Sequence, residues 1–137
     1  MKKHIYAVLA RIYVNLLPYL SRLPHGVAWV KQYLPDEGFF IPGLFFFHSF
    51  YSMPAVILII SVYSSKRYAI PFITTFLVLT LITVYLNHDY DLAADAQAAI
   101  GLIFIPMIEA FFAALALAAG YGIQHLMVSR ATKTVTE

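Results

Sequence analysis

Asp89–Tyr121 reads DYDLAADAQAAIGLIFIPMIEAFFAALALAAGY, an acidic approach followed by an apolar run that contains one proline and one glutamate. Crossing the hydrocarbon core of a bilayer takes about 20 helical residues at a rise of 1.5 Å each. From Ala98 to Ala119 the only ionisable side chain is Glu109, near the middle of the run. There an ionised group costs about 2.5–3.5 kcal/mol on insertion scales. Length and apolarity read as a membrane span, and the glutamate demands an offsetting contact.

The rest of the chain has the same character. Of 137 residues, 61% are hydrophobic and 12% charged, about half the charged fraction of an average soluble domain. The expected fold is all-α, a single helical membrane domain over 1–137 with only short connections. The net charge of +2 is small, and no basic stripe with interleaved aromatics occurs, so nucleic acid is not an expected partner. With no cysteine, disulfides, thiolate nucleophiles and cysteine metal sites are excluded. Met1-Lys2-Lys3 begins like a signal peptide, but Arg11 interrupts the apolar region and no small-x-small cleavage site follows. The segment is therefore expected to be retained.

Working outward, helices are expected over about 4–23, 41–64, 69–86 and 91–126, a small bundle of about four. Three are clear transmembrane spans, and the first is either spanning or interfacial. His4, Arg11, Asn15 and Arg22 fall on one face of that first helix, and Pro18 is expected to kink its last turn. Segment 24–38 mixes prolines, glycines, Trp29 and charges, which suits an interface-lying connection. Pro54 predicts a kink near the centre of 41–64. If the first helix spans, Lys2, Lys3, Lys66, Arg67, Arg130 and Lys133 share one side and only Arg22 and Lys31 the other. By the positive-inside rule both termini are then cytoplasmic, in a setting such as a bacterial inner membrane.

Candidate site residues fall into three sets. Glu109, His48 and Arg11 are the intramembrane polar groups, each either a hydrogen-bonding contact between helices or, for Glu109 above all, a proton or cation site. Helical steps from Glu109 pass through Asp95, Ala98, Leu102, Ile105 or Pro106, then Ala113, Ala116 and Gly120. Together with Ala110 and Ala114 these small residues are expected to let helices approach closely. Thr80, Thr83 and Asn87 share a face that reads as interhelical bonding. His88, Asp89, Asp91 and Asp95 are the one sequence-local group of hard-metal ligand types, although helix capping explains the acids equally well.

There is no G-x-S-x-G, H-E-x-x-H, P-loop or Rossmann glycine pattern. The expected function is therefore a noncatalytic subunit, or a partner-binding, assembly or immunity-type component, without cofactor. Its expected partners are the lipid bilayer and other membrane-protein subunits or further copies of itself. The alternatives are a proton- or cation-handling component using Glu109 and an interfacial metal-dependent enzyme.

Overall fold

The computed structural model describes residues 2–34, 48–65, 69–91 and 98–135. Within them every regular element is helical: α1 (Lys2–Arg22), a 3-10 turn (Leu23–His25), α2 (Val27–Lys31), α3 (Ser52–Ser64), α4 (Ala69–His88) and α5 (Ala98–Val135).

Two directions of packing set the architecture. α1 and α4 run side by side in the same sense. The Tyr13 hydroxyl lies 2.6 Å from Thr80 Oγ1, the Tyr13 ring stacks on Phe76 at 5.1 Å, and His88 at the far end donates to the Ser21 carbonyl at 3.0 Å. α4 and α5 run antiparallel. Thr74 donates to the Ala116 carbonyl at 3.0 Å, and a Cβ placed on Gly120 would sit 2.6 Å from the Pro71 Cα. Only glycine allows that approach, because any side chain at 120 would drive the two backbones apart.

The buried face of α4 is a stripe at four-residue spacing: Pro71, Thr75, Leu79, Thr83 and Asn87. Opposite it, α5 buries Ile105, Pro106, Glu109, Ala113, Ala116 and Gly120. Much of this seam is polar, and the Thr75 hydroxyl is satisfied within its own helix, donating to the Pro71 carbonyl at 2.7 Å.

The exteriors are apolar. α4 and residues 100–131 of α5 are each long and apolar enough to cross a membrane, yet only 22% and 28% of their spanning windows are buried. The core helix of a water-soluble protein would be mostly buried. Here Ile73, Leu77, Leu81, Phe104, Phe111 and Leu115 point outward.

Several boundaries differ from expectation. α5 continues to Val135 instead of ending near 126, because nothing after Gly122 breaks a helix. From Gly122 to Ala131 every residue except Gln124 is exposed. The helical run from 48 to 64 is interrupted at Tyr51, three residues before Pro54. Residues 48–50 are helical, Tyr51 forms a turn, and Pro54 occupies the first turn of α3, where its missing amide is tolerated. Gly26, at φ 95°, reverses the chain after the 3-10 turn, a conformation that suits glycine, and Tyr33 ends up 3% exposed against the helix ends. Asp95, Lys66, Arg67 and the 35–47 part of the predicted second helix lie outside the described residues.

Candidate functional site

The α1–α2 turn, the C-terminal end of α4 and the N-terminal third of α5 meet around one amide, Asn87. Helical side chains lean toward their own N-terminus. Because α4 and α5 are antiparallel, Asn87 leans back along the bundle and Glu109 leans toward it. Asn87 Nδ2 donates to Glu109 Oε1 at 3.0 Å and to the Thr83 carbonyl at 2.8 Å, and Asn87 Oδ1 accepts from the Tyr33 hydroxyl at 2.6 Å and the Tyr51 hydroxyl at 3.4 Å. An amide has two donor hydrogens and two acceptor sites, and all four are used. Burial pushes the Tyr33 phenol up to about 12, with nearby Arg22 opposing the shift, so at neutral pH Tyr33 keeps the proton it donates.

Glu109 is 0% exposed, and its Oε2 has no hydrogen-bond partner among the described residues. The sequence places it mid-run, but its contacts set it between the levels of Thr83 and Asn87, in the last turns of α4. The long α5 accounts for the shift: its first ten residues extend beyond that level, where Tyr90 leans over Gly101.

Arg22, read from sequence as part of the polar face of the first helix and as an outer charge, is the other pole of the site and is also 0% exposed. Its Nε donates to the Trp29 carbonyl at 2.9 Å, Nη1 to the Asn87 carbonyl at 3.5 Å and to the Tyr90 carbonyl, and Nη2 to Gln32 Oε1. The guanidinium also lies 4.1 Å from the Tyr33 ring centroid and 5.1 Å from that of Trp29. The Asn87 and Tyr90 carbonyls belong to the end of α4, where unpaired carbonyls and the helix dipole present negative charge. Arg22 thus caps α4 from a neighbouring helix. Tyr33 links the two poles, with its ring under the cation and its hydroxyl on the amide that holds Glu109.

The other expected site residues separate. His48 Nδ1 lies 2.7 Å from Asn15 Oδ1, and its Nε2 lies 3.5 Å from the Tyr19 hydroxyl, so it ties α3 to α1 rather than to Glu109. Arg11 is exposed halfway along α1. His4, Arg11, Asn15, His48 and Ile59 line an open groove of about 640 Å³ between α1 and α3. Ala113 and Ala116 pack within the seam, Ala110 is half-buried, and Ala114 faces outward. Among the described residues Ala114 stays outside the packed seam, because its four-step row runs to one side of the buried stripe.

The expected metal group also divides. Asp91 accepts from Gln32 Nε2 at 2.9 Å, which leaves it committed to the Arg22 network. Asp89 instead meets His88 and His25, whose ligand atoms all lie within 4.8 Å of one another. His25 was not singled out from sequence. The signal was the turn Leu23-Pro24-His25-Gly26, which folds the chain back onto the end of α4.

Comparison with known proteins finds no matching family model, no matching curated protein and no matching solved structure.

Proposed function

We propose that the chain is an integral membrane protein in which α1, the helix through α3, α4 and α5 cross the bilayer together, and that it serves as a noncatalytic subunit docking a second membrane protein along the α1–α3 groove. Spanning by α1 is supported by its parallel run beside α4 from Tyr13–Thr80 to Ser21–His88 and by its 21 residues, about 31 Å of helix. Its outward residues Ile5 and Leu20 suit lipid. This arrangement puts the amino terminus level with the start of α4, in keeping with a cytoplasmic side rich in lysine and arginine.

The observation that carries the proposal is Arg11. It is exposed and stands beside the middle of α4, at a depth where an unpaired guanidinium costs about 2.5–3.5 kcal/mol or more. A carboxylate from a partner helix would offset that charge and fit the groove between His4 and His48. A second copy of the chain is a poor source of that carboxylate. Glu109, the one acid within its apolar runs, is buried inside the bundle, bonded to Asn87.

A photo-crosslinking residue at Leu16, beside Arg11 on the groove, tests the proposal in native membranes. The expected result is an adduct with a protein bearing an intramembrane acid, lost in Arg11→Gln, retained in Arg11→Lys and absent from a probe at Leu81 on α4. An adduct with a second copy, or one indifferent to Arg11→Gln, would overturn it.

A second reading, proton or cation handling, is favoured by one feature, the buried Glu109 Oε2 without a hydrogen-bond partner among the described residues.

A further inference from the structure

At the end of the bundle occupied by Arg22, but at its rim, two imidazoles converge on one carboxylate. His25 Nε2 lies 3.1 Å and His88 Nε2 3.6 Å from Asp89 Oδ1, and the two rings are 4.4 Å apart between centroids. His88 Nδ1 lies 3.0 Å from the Ser21 carbonyl. A carbonyl only accepts, so Nδ1 carries the hydrogen and the neutral ring presents its Nε2 lone pair to the carboxylate. Two acceptors facing each other need a positive centre between them, either a proton on the imidazole or a metal ion.

We infer that His25, His88 and Asp89 form a binding site for a divalent transition-metal ion of the zinc class. Ligand atoms bound to tetrahedral zinc at 2.0–2.2 Å stand about 3.3 Å from one another, and the two imidazole–carboxylate separations bracket that value. Two imidazoles and one carboxylate make a borderline donor set suited to zinc rather than to calcium or magnesium. The Ser21 carbonyl on His88 Nδ1 is the second bond that metal-binding histidines commonly make, since it fixes ring orientation and tautomer. His25 is held in place by stacking on Trp29 at 4.6 Å. Asp89 is 80% exposed, so an ion has an entry path and a fourth position is open to water.

The ligands come from the 3-10 turn and from the end of α4. A bound ion would therefore clasp the α1–α2 turn over the buried Arg22 network.

Untagged protein in mild detergent, stripped with a chelator and titrated with Co²⁺, tests the site. One equivalent is expected to give the visible absorption of four-coordinate cobalt, displaced by Zn²⁺. Asp89→Asn should weaken binding by about tenfold or more, and His25→Gln should abolish the band. Because His25 sits at the rim, that variant keeps its helical content and elution volume, whereas His88→Gln also disturbs the Ser21 contact. A double His4→Gln, His125→Gln variant should titrate as the natural chain does. No band at one equivalent, or a band that survives His25→Gln or disappears with His4 and His125, would overturn the site.

Discussion

Arg11 and Arg22 stand about three turns apart on one helix, and the chain treats them in opposite ways. Arg22 is wholly buried, with its donors directed to three backbone carbonyls and a glutamine, and with tyrosine and tryptophan rings beside its plane. Arg11 is exposed, and the nearest built-in polar pair, Asn15 with His48, satisfies itself. The difference lies in position along the bundle. At a helix end, free carbonyls of α4 and a folded-back turn can surround a guanidinium. In mid-helix every carbonyl is already paired, so a charge there has to be answered by a side chain. Arg22 belongs to the fold, and Arg11 is the residue that the proposed docking assigns to a partner.

The most severe way to break this contrast is to remove Arg22. Arg22→Met keeps much of the apolar stem but leaves carbonyls at the end of α4 and Gln32 without their donors around a fully buried side chain. The expected loss is about 3 kcal/mol or more, read as a fall of roughly 10 °C in the unfolding midpoint in mild detergent. Arg22→Lys should recover only part of it, since an ammonium cannot reproduce the planar fork that reaches acceptors on α4 and the α2 segment together. An unchanged midpoint for Arg22→Met would mean that the network contributes nothing to the fold.

A smaller effect is expected at the other pole. Glu109→Gln retains an oxygen to accept from Asn87, so it should lie within about 1 kcal/mol of the natural chain, whereas Glu109→Leu leaves the Asn87 amide one bond short and should lose about 1–3 kcal/mol. The same pair separates structure from ion handling. A glutamine variant as stable as the natural chain, and still joined to its partner, assigns Glu109 to holding α4 and α5 together. If instead it assembles but abolishes a pH-dependent flux in proteoliposomes, the carboxyl carries protons.

Local periodicity made part of this legible. The stripe through Ile105, Glu109, Ala113, Ala116 and Gly120 follows from helical spacing, and it is the buried face of α5. Spacing alone could not say which of two adjacent small-residue rows turns inward, so Ala114, one row over, looks equivalent in sequence and is exposed. Nor could it give depth, because the level of Glu109 depends on how far α5 slides along α4, which the Gly120–Pro71 approach sets. Arg22 escaped for a different reason. Its acceptors are main-chain carbonyls of Trp29, Asn87 and Tyr90, which carry no residue-type signal. The His25–His88–Asp89 cluster joins positions more than sixty residues apart, through a turn whose Pro-His-Gly sequence marked the reversal but not what it would meet.

The gentlest perturbation sharpens the comparison most. If Arg11 is available to a partner rather than built into the fold, Arg11→Leu in the purified chain should move stability by no more than about 0.5 kcal/mol, as at other exposed positions. Its insertion into the bilayer should become easier, since a costly mid-membrane charge is gone. The effect would surface only in assembly, where a partner's carboxylate loses its counter-charge and is left desolvated. Thermal unfolding of the isolated chain and recovery of the complex from native membranes therefore have to be measured on the same variant. A normal midpoint with a lost complex keeps the two arginines distinct. A midpoint as low as that of Arg22→Met would show that Arg11 is bonded within its own chain, and the α1–α3 groove would lose its claim as the docking face.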